Sequence, residues 1–123
     1  MTVLYIALGA AAGAPLRFLT DIVIQRRHDS VFPWGTLAVN VVGSFLFGAI
    51  VALAAEGELG AGTVAGLGVG FSGALTTYST FAYETLRLID GGARLFALAN
   101  VGLSVAAGLG AASVGWTLGS AVA

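Results

Sequence analysis

The chain has 123 residues, of which 58% are apolar before its 19 glycines are counted; 9% are charged and the formal net charge is −1. Soluble domains carry about 25% charged residues, so five basic and six acidic side chains cannot clothe this chain in a polar surface, and the same figures exclude disorder and a nucleic-acid partner. The sequence contains no cysteine, which removes disulfides and thiolate metal sites and leaves a small all-α membrane protein.

The charged residues mark the loops: Arg26, Arg27, His28 and Asp29 form one clump, Glu56 and Glu58 a second, Asp90 and Arg94 a third. Between them run four apolar stretches, near residues 2–24, 33–55, 62–89 and 95–122. Each reaches the ~20 residues that a helix needs to cross a hydrocarbon core, so one domain of four transmembrane helices is expected over 1–123. A barrel would need alternating segments of about ten residues, which the sequence lacks.

The first stretch has no basic start and carries Arg17 well inside it, which reads as a span and not a cleavable leader. Arg17 lies one turn before Asp21. It suits either an anion-attracting vestibule or a snorkelling, ion-paired position. In the second stretch Thr36, Asn40, Gly43, Ser44 and Phe47 recur at intervals of three or four and share one face. A primary amide at the centre of a span is costly unless it is paired. The third stretch packs Ser72, Thr76, Thr77, Ser79 and Thr80 with Tyr78 and Gly73 between Phe71 and Phe81. Such density competes with helical hydrogen bonding. The segment therefore either breaks near its middle, which protein or water must then cover, or stays helical with its hydroxyls bonded back to the preceding turn. Glu84, three residues before Arg87, suits a local ion pair. The fourth stretch repeats a polar stripe in Asn100, Ser104 and Gly108. Most of the glycines suit close helix packing, which small residues permit in lipid.

The donors point to an anion. Amide and hydroxyl groups, with the electropositive rims of aromatic rings, can replace water around a small negative ion, whereas a cation path would place carboxylates in the spans. There is no P-loop, no His/Cys/Asp cluster and no paired carboxylate in a span, so the chain does not read as an enzyme. His28 reads as a solvated loop residue.

These residues resemble the small fluoride channels of the CrcB family along almost the whole chain. Gly9, Gly13 and Arg17 follow its G-x-x-x-G-x-x-x-R pattern. Pro33, Gly35, Thr36, Asn40, Gly43 and Ser44 resemble P-x-G-T-x-x-x-N-x-x-G-S. Gly70, Phe71, Gly73, Thr76, Thr77, Ser79, Thr80, Phe81 and Glu84 resemble G-F-x-G-x-x-T-T-F-S-T-F-x-x-E. The resemblance implies an antiparallel dimer with two fluoride pathways along its interface, and a structural Na⁺ at the centre held by the carbonyls of Gly73 and Thr76. It further implies that Asn40 donates to fluoride, that Phe81 and Tyr78 present ring edges to it, and that Ser79, Thr80 and Ser104 add polar contacts. The role would be passive export of fluoride and so fluoride resistance. The chain departs from the family at Tyr78, where phenylalanine is usual, at Asn100, where tyrosine is common, and at Gly108, where a hydroxyl often lies.

With four spans, Arg26, Arg27, Arg87 and Arg94 fall on one side and Glu56 and Glu58 on the other. The positive-inside rule then places the first and third loops in the cytoplasm of a multi-pass plasma-membrane protein, with both termini outside. So strong a bias suits a fixed orientation and a heterodimer with an oppositely oriented paralogue, against a homodimer that tolerates the bias. Two other functions remain open at this stage: a non-conducting or half-conducting partner subunit, and a proton-coupled exporter of cationic drugs. The exporter would need a carboxylate deep in a span.

Overall fold

The computed structural model describes residues 1–27 and 32–122, and these are helical with no strand. The loop reading of His28 and Asp29 lies outside the described residues. Three helices are long and apolar enough to cross a membrane: α1 (Thr2–Arg27), α2 (Trp34–Ala55) and α6 (Arg94–Val122). The third apolar stretch is helical but divided. It runs as α3 (Ala61–Thr63), a π-helical stretch (Val64–Ser72) and α4 (Gly73–Leu75), then breaks, and resumes as α5 (Ser79–Asp90). The expected break is thus present, between Leu75 and Ser79. The wide π-helical turns before it were not anticipated; there the Ser72 hydroxyl donates to the Leu67 carbonyl five residues back, at 3.0 Å.

Two glycines end helices in the left-handed conformation that favours them. After α2, Gly57 has φ +77°, its N–H reaches the Ala54 carbonyl at 3.1 Å, and the Glu58 N–H reaches Leu53 at 2.9 Å. After α5, Gly92 has φ +82°, with Gly92 bonded to Ile89 at 3.1 Å and Ala93 to Leu88 at 2.8 Å. Both are Schellman closures, in which a 6→1 and a 5→2 bond satisfy the last carbonyls.

The helices pack as two pairs. In one, α2 lies against α6, where Gly48 sits on the Ala112 carbonyl and Gly115 on the Phe45 carbonyl. In the other, α1 lies against the π-helical stretch, with Gly9 on the Gly66 carbonyl and Gly70 on that of Ile6. A Cβ at any of these positions would overlap the facing backbone. Beyond the break the third crossing changes partner, and α5 packs on α6. Tyr5 lies beside Gly62, while the Phe32 and Phe96 rings approach to 6.4 Å. The starts of α2 and α6 therefore share one end of the bundle, opposite the starts of α1 and α3.

The interior is thin. Val39, Ala52, Ala65, Leu75 and Ala97 are buried, while Leu8, Phe18, Leu98 and Leu109 are exposed. Large apolar side chains left on the outside are what lipid as solvent permits, because burying apolar surface there gives little drive for association.

Gly48→Val and Gly115→Val should each cost about 1–3 kcal/mol through overpacking, lowering the melting temperature of the detergent-solubilised protein. Gly102→Ala, where a Cβ meets nothing within 4 Å, should leave it unchanged or raise it.

Candidate functional site

The break is organised by Thr77 and one side chain from α2. Thr76 closes α4 through its N–H to the Ser72 carbonyl at 3.0 Å, and its hydroxyl donates to the same carbonyl at 3.0 Å. Its ψ of 158° then turns the chain out of the helix. Thr77 follows with backbone groups that no helix can serve. Asn40 serves both: its Oδ1 accepts from the Thr77 N–H at 2.7 Å, and its Nδ2 donates to the Thr77 carbonyl at 3.1 Å. The Thr77 hydroxyl accepts from the Thr80 N–H at 3.2 Å and so caps α5. Gly43, one turn after Asn40, has no side chain and admits the Thr76 methyl.

Three clefts meet this segment. One of about 370 Å³ is bordered by Asn40, Ser44, Tyr78, Phe81, Ser104 and Gly108. In it the Tyr78 and Phe81 ring centroids lie 6.2 Å apart at 45°. Asn40 has one Nδ2 hydrogen on Thr77 and a second hydrogen to offer. A narrower cleft of about 190 Å³ lies towards the arginine-bearing end and is bordered by Arg17, Asp21, Thr36, Val39 and Thr80. Thr77 borders both. A third, of about 410 Å³, is bordered by Gly43, Gly68, Ser72, Gly73 and Thr76.

The fold thus brings Asn40, Tyr78, Phe81 and Ser104 around one cleft. Thr80 belongs to the Arg17 cleft instead, and Ser79 is exposed beside neither. Gly73 and Thr76 lie together on the third cleft; Gly73 is exposed, and its carbonyl receives a contact from the Thr76 hydroxyl at 3.5 Å. Glu84 lies within the influence of the Arg87 charge, and its Oε1 accepts from the Thr36 hydroxyl at 2.5 Å, tying α5 to the start of α2. Asp21 borders the same cleft as Arg17. Its carboxylate packs against Gly35, and the buried Oδ1 accepts no hydrogen bond. Among the described residues no group of three His, Cys, Asp or Glu side chains could hold a metal.

Sequence reasoning missed the double role of Thr77, the Thr36–Glu84 bond and the seat of Asp21 on Gly35. The spacing of Thr36 and Asn40 on one face was the available signal for the first two. A tertiary approach such as Asp21 to Gly35 leaves no periodic trace.

A family model described as CrcB-like protein, Camphor Resistance (CrcB), matches residues 4–116. The chain is 54% identical to fluoride-specific ion channel FluC 1 of Frankia casuarinae, over 99% of this chain and 98% of that protein. It is 53% identical to fluoride-specific ion channel FluC 1 of Streptomyces avermitilis, over 94% and 93%, and 48% identical to fluoride-specific ion channel FluC of Shewanella woodyi, over 84% and 83%.

Asn40→Ala should leave the Thr77 N–H and carbonyl unserved at a cost of about 1–3 kcal/mol. Hydrogen–deuterium exchange should then quicken by roughly tenfold or more at Thr77 and in the first turn of α5. Val42→Ala, at an exposed position two residues on, should leave exchange there unchanged.

Proposed function

The chain belongs to the CrcB family, and from that premise we propose that it is a subunit of a fluoride-selective channel that lets fluoride leave the cell passively and so confers fluoride resistance. The observation that carries this reading is the cleft beside the break, where an amide with a hydrogen to offer faces a tilted aromatic pair. Fluoride holds its water strongly, so a path for it must supply donors and no competing negative charge. Amide hydrogens and ring edges meet that need, and no carboxylate borders this cleft. The Arg17 cleft adjoins it through Thr77; Arg17 would attract an anion to its mouth, and Asp21 on the same cleft offsets part of that charge. The reading gives Asn40 the donor role, Tyr78 and Phe81 the ring edges, and Ser79, Thr80 and Ser104 further polar contacts.

Two copies, or this chain and a paralogue, would complete the path. Tyr78 is 81% exposed and Ser79 and Thr80 are exposed, although polar groups at membrane depth require protein or water around them. An oppositely oriented partner covering this face would supply both, with lipid around the remainder. The carbonyls of Gly73 and Thr76 fit a structural Na⁺ at such an interface, since a hard cation takes oxygen ligands. Gly73 faces open space, where a Cβ would meet nothing within 4 Å. Bound there, the ion would supply positive charge near the two anion paths.

The shared end of α2 and α6 carries the arginine-bearing first and third loops, which would be cytoplasmic in the plasma membrane by charge bias. That bias favours a paralogue of opposite orientation as the partner. The drug-exporter reading is not favoured, because no carboxylate borders the broad cleft.

Liposomes reconstituted with the chain should release fluoride and retain chloride, as read by ion-selective electrodes. Asn40→Ala should slow fluoride release by about tenfold or more, one lost charge-assisted hydrogen bond being worth about 1.5–3 kcal/mol. Release of both halides at equal rates would refute selectivity. Release that requires co-reconstitution with an oppositely oriented paralogue would establish the heterodimer.

A further inference from the structure

A second asparagine lies next to this cleft without bordering it. Asn100, on α6, is 1% exposed. Its Nδ2 donates to the Thr85 hydroxyl at 2.9 Å, and that hydroxyl donates to the Phe81 carbonyl at 2.8 Å. Its Oδ1 accepts from the Ser104 hydroxyl at 3.4 Å. The bonds run in one direction, from Ser104 through the Asn100 amide and Thr85 to Phe81, and both ends of the relay are walls of the cleft. We infer that Asn100 is a positioning residue, which braces the turn of α5 that carries Phe81 and turns the Ser104 proton away from the cleft.

Two physical consequences follow. A threonine bonding back to the carbonyl four residues earlier tends to bend its helix. Here the hydroxyl also accepts from Asn100, so the relay is polarised along its length and the Phe81 turn is tied to α6. Ser104, its proton engaged by Asn100, offers the cleft oxygen lone pairs. Its polar contact with the path is then made through a water that donates to it, and the direct donor to an anion is Asn40. Ordinary helix–helix attachment would require one bond between α5 and α6. It gives no reason for both ends of the relay to fall on cleft residues.

This inference rests on the reading of that cleft as the fluoride path, and the two can be tested apart because Asn40 and Asn100 are the only asparagines in the sequence. The full chain labelled with [¹⁵N]asparagine and placed in lipid nanodiscs has two side-chain amide pairs, assigned with Asn100→Asp. Sodium fluoride, titrated against sodium chloride as control, should shift the Asn40 pair and leave the Asn100 pair in place. Thr85→Val, which keeps the side-chain shape and removes the hydroxyl, should shift the Asn100 pair and leave Asn40 undisturbed. In liposomes Asn100→Leu should slow fluoride release about tenfold, the equivalent of about 1.4 kcal/mol. Adding Thr85→Val to it should slow release no further, because both break one relay. If Asn100→Leu does not fold, Thr85→Val alone carries the same test, with slower release expected.

A shift of the Asn100 pair on adding fluoride would overturn the inference by making Asn100 a ligand. An Asn100 pair indifferent to Thr85→Val, or unaltered release in Asn100→Leu, would also overturn it. If fluoride moves neither pair and the unmodified protein releases none, the channel reading fails. The brace is then decided by the response of the Asn100 pair to Thr85→Val.

Discussion

The two hydrogen bonds between the Asn40 side chain and the Thr77 backbone are the constraint on which the rest of the arrangement depends. A chain that interrupts a helix at membrane depth leaves an N–H and a carbonyl with no water to take them, at a cost of several kcal/mol each. One primary amide supplies both a donor and an acceptor in a single rigid plane, so Asn40 answers both groups at once. From that clamp the surroundings follow: α4 ends at Thr76, Thr77 caps α5, and the third crossing passes from α1 to α6.

The glycines make the clamp reachable. Asn40 meets Thr77 only because α2 runs close to the break, and Gly43, without a side chain, admits the Thr76 methyl there. On either side, α1 approaches the π-helical stretch and α2 approaches α6 at near backbone contact through Gly9, Gly70, Gly48 and Gly115. Lipid exerts no hydrophobic force to hold such pairs together, so close van der Waals approach has to do so. The same absence of force explains why Leu8, Phe18, Leu98 and Leu109 face outward without penalty. The π-helical turns also belong to this account. They stand where glycine recurs at Gly66, Gly68 and Gly70, and the Ser72 hydroxyl helps to satisfy the wide turn; such turns gather at functional sites.

Residues whose meaning is local were legible in the sequence, and residues whose meaning is tertiary were not. The helices could be read from charge clumps and apolar length, and their ends lie within a few residues of the apolar stretches. The break was foreshadowed by five hydroxyls around Gly73, although composition could not choose between unwinding and back-bonding. The Thr77 backbone decided the matter, because Asn40 offers the unwound form partners that the helical form would not need. Asn40, Tyr78, Phe81 and Ser104 border one cleft, as their helical spacing allows. Thr80 borders the neighbouring Arg17 cleft, because α5 begins immediately before it, a placement that spacing alone does not reveal. Glu84 has a helical neighbour in Arg87, an interval of three that is visible in a sequence; its hydrogen-bond partner Thr36 lies 48 positions away. The π-helical stretch had no signal beyond the glycine run, which close packing explains equally well.

The chemistry of the amide also accounts for why position 40 holds asparagine and neither a carboxylate nor a hydroxyl. A carboxylate could accept from the Thr77 N–H, but it would abandon the Thr77 carbonyl and place a negative charge on the wall of the cleft, which on the proposed reading is the anion path. A serine or threonine has one proton; given to the Thr77 carbonyl, it leaves nothing for an ion. The amide alone closes both backbone groups and keeps one hydrogen in hand. That hydrogen is also held still, because the other two polar contacts fix the plane that carries it. A donor fixed in place without net charge can exchange with water around a small anion without trapping it, and conduction requires binding favourable enough to enter yet weak enough to leave. The bonds that hold the break open are therefore the bonds that orient the spare amide hydrogen, and on the proposed reading structure and permeation would meet in the same side chain.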